Sequence, residues 1–262
     1  MVIPSKKRPR PSVRAMQASR ADWLQLGCAG WSLPRPQWDA FDAGDSHLER
    51  YASRLRAVEI NSSFYRPHQR ATYQRWATGT PPDFRFSVKV PKTLTHELRL
   101  ENAMPAFDGF LAQVAGLGPK LGALLLQLPP SLAFDEARVH AFLAAARKRY
   151  DGLLALEPRH ASWFTLPAER LLSDWWVGRV LADPVLHPPL ACAPGGWPGL
   201  VYLRLHGSPR RYWSSYGDAL LQRLADRLRI VRGQGTACWC IFDNTAAGEA
   251  TANALTLARL LS

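Results

Sequence analysis

Eight short apolar runs in this chain each end in polar, chemically capable residues. In order, they end at Gly27-Cys28-Ala29-Gly30-Trp31-Ser32, Glu59-Ile60-Asn61, Lys89, Gln127, Glu157-Pro158-Arg159-His160, Asp183, Arg204-Leu205-His206-Gly207 and Asp243-Asn244. Buried strands that finish repeatedly in a charge or an amide restrict the choice of fold. A parallel barrel of eight strands meets the condition, because its active site is built at the C-terminal ends of its strands.

The runs predict strands at about 24–29, 57–60, 84–89, 122–127, 153–157, 179–182, 200–205 and 237–242. Helical spacing appears from Ser46 to Leu55, from Asp135 (a cap) to Arg149, from Asp218 to Val231 and from Gly248 to Leu261. Strands alternating with helices imply a parallel sheet. The strands also alternate by face. Val201, Leu203 and Leu205 oppose Tyr202, Arg204 and His206; Leu124 and Leu126 oppose Ala123, Leu125 and Gln127; Leu154 and Leu156 oppose Ala155, Glu157 and Arg159; and Phe86, Val88 and Val90 oppose Arg85, Ser87 and Lys89. One face would pack on outer helices and the other would fill the barrel, with its polar tips at the mouth. Residues 184–199 hold too much Pro and Gly for a helix, so a loop is expected there. The expected fold is therefore α/β, a TIM (β/α)8 barrel over residues 21–262.

Charge separates the first segment from the rest. Residues 1–20 carry six basic residues and no acid, which is half of the net +12. Such a segment is expected to be a disordered basic arm, able to contact nucleic acid or an anionic surface non-specifically. The plainer expectation is a solvated extension ahead of a start at Met16. No apolar run approaches a membrane span, and the arm lacks the apolar stretch of a signal peptide. Cys28, Cys192, Cys238 and Cys240 form no CxxC, and Cys238 and Cys240 fall on one strand face. That pattern predicts buried reduced thiols and cytoplasmic residence, with no membrane partner.

The segments GCAGWS at 27–32, EINSSFYR at 59–66, FRFSVKVPKTLTH at 84–96, LLLQLPPS at 124–131, LEPRHASW at 156–163, YLRLHG at 202–207 and FDN at 242–244 resemble the YecE-like family, domain of unknown function 72. The resemblance runs from about 24 to 260. It implies a TIM barrel and no established reaction. The basic arm and the 184–199 loop fall outside the family pattern.

The residues at the predicted mouth admit several chemistries. Carboxylates of Glu59, Glu157, Asp183 and Asp243 around one opening could divide acid and base roles, since like charges push their pKa values apart. With His206 and His160 the same acids could hold a divalent metal, although no HExxH-like spacing supports one and no cofactor is assigned. The purely structural alternative is a buried ion-pair network, Glu157 with Arg204 and Asp243 with Lys89. Lys89, Arg159 and Arg204 tilt the ligand toward an anion. Lys89 is also a Schiff-base candidate, set against the plainer role of an ammonium kept charged by an adjacent acid. Trp31, Phe64, Tyr65, Trp163, Tyr212, Trp213 and Tyr216 are flat groups able to stack on sugars or bases, or simply to pack. Arg210 and Arg211 add cations beside Tyr212 and Trp213, and His96 is a loop ligand or a cap. Gly27 and Gly30 form no phosphate fingerprint and are expected to allow a tight turn.

Together these point to an enzyme acting hydrolytically on a small phosphate-bearing or nucleic-acid-derived ligand. Glu157, Glu59, His206 and Asp243 are the catalytic candidates. Binding is expected from Asn61, Tyr65, Lys89, Gln127, Arg159, His160, Trp163, Arg204, Tyr212, Trp213 and Asn244. The alternatives are a carbohydrate-active enzyme with paired carboxylates and a non-catalytic module for anions or RNA.

Overall fold

The computed structural model describes residues 24–188 and 190–262. The basic arm expected at 1–20 lies outside the described residues. Ten strands form one sheet: β1 (Leu24–Ala29), β2 (Ala57–Ile60), β3 (Arg85–Lys89), β4 (Leu121–Gln127), β5 (Leu153–Glu157), β6 (Val177–Arg179), β7 (Leu181–Asp183), β8 (Gly195–Gly196), β9 (Leu200–Leu205) and β10 (Ala237–Phe242). The spatial order is β7-β9-β10-β1-β2-β3-β4-β5-β6-β8. Every pairing is parallel except that of β8 with β6.

The strand expected at 179–182 is in fact two. β6 pairs with β5 and β7 pairs with β9, with Val180 between them. These consecutive pieces bring the two ends of the sheet together, so the sheet is nearly closed and barrel-like. Residues 184–199 form no helix among those described; Gly195 and Gly196 return as the short antiparallel strand. Without a helix there, Leu181 and Asp183 of β7 line a groove with Leu203, Leu205, Leu220 and Leu224.

The period-two alternation resolves into two separate cores. Inside lie Ala57, Ala123, Leu125, Leu153, Ala155, Val180, Leu200, Tyr202, Trp239 and Ile241. Small alanines leave room for Trp239, which stacks on Tyr202 with ring centroids 6.0 Å apart. The outer core holds Phe86, Val88, Leu124, Leu126, Leu154, Leu156, Leu203 and Leu205 with the helices. Cys238 and Cys240 belong to that outer layer; they and Cys28 are free and buried, whereas Cys192 is exposed. No helix of the described residues is long and apolar enough to cross a membrane.

The covering helices begin where the sequence supplies a cap. Ser46 and Glu49 form a capping box for His47–Ala52, three residues shorter at its C-terminal end than the spacing predicts. Asp135 accepts from the Arg138 N–H to start Glu136–Arg147. Asp218–Gly233 and Glu249–Leu261 follow their predicted ranges closely, and Arg70–Thr78, Met104–Val114 and Leu166–Asp174 complete the longer helices.

Gly27 is required for close approach rather than for a turn. A Cβ there would lie 1.8 Å from the Ala57 carbonyl oxygen. Beside it the Tyr51 hydroxyl accepts from the Cys28 N–H at 2.8 Å and donates to the Ala57 carbonyl at 2.8 Å, stitching β1 to β2. Gly30 makes the turn, at φ +88°, with open space where a Cβ would sit. Gly27→Ala is therefore expected to cost about 3 kcal/mol or more from overpacking, against about 1 kcal/mol for Gly30→Ala from its left-handed backbone. Urea unfolding of the two variants checks the order, and the reverse order contradicts it.

Candidate functional site

The strand ends converge on one guanidinium. Arg204, near the end of β9, is 1% exposed and meets three carboxylates, Glu59 of β2, Glu157 of β5 and Asp243 just past β10. Its Nε donates to Glu59 Oε2 at 3.0 Å, Nη1 to Glu157 Oε2 at 2.7 Å, and Nη2 to both Glu59 Oε1 and Asp243 Oδ2 at 2.7 and 2.9 Å. Burial alone would push the Arg204 pKa down, but the three carboxylates outweigh it and hold the pKa well above its usual value. Buried charges persist only when paired in this way.

Reciprocally, burial pushes the carboxyls of Glu157 and Asp243 up, and Arg204 together with the other cationic and hydrogen-bonding neighbours more than reverses that. Glu157 lies well below the ordinary carboxylate range through Arg204, then Arg159. Asp243 is lowered by Arg204, then by its hydrogen bond to His206. Both are carboxylates at neutral pH, so neither serves as a resting general acid. Glu59 is fully buried below the mouth, level with Ser87 and two residues short of Lys89, and its Oε2 lies 2.8 Å from the Tyr202 hydroxyl. Its contacts suit a positioning role rather than the acid–base role expected for it.

Above this node, polar atoms remain free. His206 Nδ1 lies 2.9 Å from Asp243 Oδ2. This fixes Nδ1 as the protonated nitrogen and leaves Nε2 as an acceptor in the neutral ring. Nε2 faces Glu157 Oε1 at 3.8 Å, and among the described residues neither buried atom has a hydrogen-bond partner. Arg159 forms an ion pair with the same Glu157 oxygen while its own Nε is unpartnered. Gln127 donates to Glu157 Oε2 at 3.1 Å, and Asn61 Oδ1 is buried without a partner.

Lys89 departs from expectation. The Glu157–Arg204 half of the anticipated ion-pair network forms, but the Asp243–Lys89 half does not. Among the described residues Lys89 Nζ has no carboxylate partner, and it rests over the Phe64 ring, 4.1 Å from its centroid. Burial lowers its pKa to about 8; nearby Arg204 pushes the same way, and Glu59, Glu157 and Asp243 oppose. The reason is competition: each of the three carboxylates is already engaged by Arg204, and Glu157 by Arg159 as well. His96 stacks edge-on against Phe64, its pKa lowered by burial and then by Lys89, Arg159 and Arg99. Arg99, held to the Ser131 backbone and hydroxyl, carries no motif that could have marked it.

The remaining expected residues separate. Tyr212 covers His206 edge-on at 5.5 Å, and Arg210 lies over Trp213 at 4.4 Å; both aromatics are exposed at the rim, as is Tyr65. Trp163 points into the core, donating its indole N–H to the Leu132 carbonyl, so it offers no free face. His160 caps the turn at 161–163 through its contacts with Ser162. Asn244 donates to the Ser214 carbonyl and to Asn253, tying loops together. Asp183 accepts from the Tyr216 hydroxyl at 2.6 Å. With Val180 inside the barrel, the alternation turns Asp183 outward, and it leaves the set of mouth carboxylates. Among the described residues, no group of three or more His, Cys, Asp or Glu side chains is arranged to hold a metal ion.

A model of the family described as protein of unknown function DUF72 matches residues 25–262. The chain belongs to the DUF72 family. It is 24% identical to the UPF0759 protein YunF of Bacillus subtilis, over 91% of this chain and 94% of that one. It is 30% identical to the UPF0759 protein YecE of Escherichia coli K12, over 61% of this chain, and there it spans only 59% of YecE's length. Crystal structures of DUF72 proteins from Thermotoga maritima (TM-score 0.73, 25% identity, 91% and 98% coverage) and Enterococcus faecalis (TM-score 0.75, 24% identity, 91% and 95%) share its fold.

Because Glu157 and Asp243 titrate below unfolded carboxyls, they add stability above the unfolded carboxylate range and lose it as pH falls through their folded values. Arg204→Met is expected to cost about 3–5 kcal/mol near neutral pH by stranding three buried carboxylates. That cost should shrink toward about pH 5, as acids now raised by burial take up protons. Denaturant unfolding of both proteins across pH tests this; a cost independent of pH contradicts it.

Proposed function

We propose that the mouth binds a small anionic, phosphate-bearing ligand and acts on it hydrolytically, with His206 as general base. The observation that carries this reading is the buried His206 Nε2, which makes no hydrogen bond among the described residues and faces Glu157 Oε1, the oxygen ion-paired with Arg159. Asp243 fixes the imidazole tautomer. His206 Nε2 then takes a proton from the attacking water, within reach of Glu157 as a permanent carboxylate. Lys89 and the free edge of Arg159 neutralise the ligand's charge, with His96 and Arg99 beside them. Arg204 stays with its three acids and positions them, rather than binding the anion.

The exposed Tyr65, Tyr212 and Trp213, the last under Arg210, favour a ligand with a flat portion reaching the rim, such as a nucleotide. Carbohydrate chemistry through paired carboxylates has less support, since Arg204 occupies the space between Glu59, Glu157 and Asp243 that a sugar would need. Counting 177–183 as one interrupted strand and setting aside the two-residue β8 reduces the sheet to eight parallel strands. We take that as a TIM barrel beginning at β1, with this mouth at its C-terminal face.

Calorimetric titration with inorganic phosphate and nucleoside monophosphates tests the reading. Lys89→Met and Arg159→Met should each weaken binding about ten-fold or more. His206→Asn should leave binding intact and lower turnover of a hydrolysed ligand about 10²–10⁴-fold. Affinity should fall as pH rises through about 8, where Lys89 becomes neutral. Absence of binding overturns the proposal, and binding without turnover makes the mouth a capture site.

A further inference from the structure

We propose that Lys89 is a carbonyl-reactive amine, so that the ligands of this mouth include aldehydes or ketones carrying an anionic group. The inference rests on the anionic-ligand reading for its substrate class, but not for the reactivity of the amine.

The geometry separates Lys89 from an ordinary buried lysine. A buried ammonium is normally neutralised by a carboxylate or saturated with hydrogen bonds. Three carboxylates lie close enough to act on Lys89 electrostatically, yet none pairs with it, because each is bound to Arg204. Among the described residues no hydrogen bond holds Nζ, which lies over the Phe64 face. The side chain sits on the inward face at the end of β3, only 7% exposed, and the anchoring is applied to its backbone, where Ser63 Oγ donates to the Lys89 carbonyl at 2.6 Å. The result is a fixed stem with an unencumbered nitrogen. Burial supplies the second requirement, a lowered pKa that leaves part of the population as free base near neutrality. Other described lysines lack this combination. Lys92 is exposed and paired with Glu97, and Lys120 donates to the Ala77 and Thr80 carbonyls.

The step balances without an added oxidant or reductant. The Nζ lone pair attacks the carbonyl carbon, forming the C–N bond, and the carbonyl oxygen takes up a proton to give a carbinolamine. Loss of that oxygen as water leaves an iminium, so ammonium plus carbonyl gives iminium plus water with charge conserved. His206 Nε2, the free acceptor of the mouth, relays the proton released by the ammonium.

The test uses the full chain with glyoxylate, a carboxylate-bearing aldehyde, and with propanal as its neutral counterpart. Sodium borohydride, a hydride donor, reduces any iminium to a stable secondary amine, and peptide mass mapping locates it. Lys89 should be trapped by glyoxylate roughly ten-fold or more faster than the exposed Lys92 or Lys148. Lys89→Arg should lose that adduct while keeping its thermal midpoint. Mapping on the wild-type chain alone remains decisive if the variant does not fold. Trapping confined to exposed lysines overturns the inference, even if phosphate binds. Preferential trapping of Lys89 by both aldehydes alike, with no phosphate binding, upholds the amine and instead overturns the anionic-ligand reading.

Discussion

The structure turns on a single guanidinium placed where a barrel interior meets its mouth. Arg204 is planar, permanently charged and able to donate in several directions at once, which allows one side chain to satisfy Glu59, Glu157 and Asp243 together. A lysine at this position could not span the same three acids. Below the guanidinium the interior is apolar, with Trp239 and Tyr202 filling space left by alanines. Above it lie polar atoms that the protein itself does not use.

That division explains the electrostatics of the mouth. One oxygen each of Glu157 and Asp243 faces Arg204, which holds both groups ionised. Asp243 spends the same oxygen on His206 and so sets the ring's tautomer. Glu157 keeps its other oxygen directed at His206 Nε2 and Arg159. Because each acid is engaged by Arg204, Lys89 pairs with none of them and sits on an aromatic face instead. A lysine whose pKa burial and Arg204 lower, an imidazole with a fixed tautomer and permanent carboxylates thus meet around one central cation.

Much of this was legible in the sequence, because strand periodicity is a geometric rule. Once Tyr202, Arg204 and His206 share a face, they must all point inward if one of them does, and the same holds for Ser87 with Lys89 and for Gln127. The interrupted strand at Val180 was not legible, since its two halves pair with different neighbours and only the assembled sheet shows that. The same break concealed the outward turn of Asp183. Which acid pairs with which cation was half legible: Glu157 found Arg204, whereas Lys89 lost Asp243 to a competitor whose reach depends on three-dimensional placement. Trp163 follows a reactive-looking motif but is drawn into the core by a backbone carbonyl that no spacing rule identifies. Arg99, from a turn with left-handed backbone at Arg99 and Leu100, had no sequence signal.

The most direct test of this account is a crystal structure of the chain soaked in phosphate. An anion is expected between Lys89 Nζ, Arg159 and His206 Nε2, with Arg204 still joined to Glu59, Glu157 and Asp243. A structure in which Lys89 swings away to pair with Asp243 or Glu157, leaving the mouth without an anion, would contradict it.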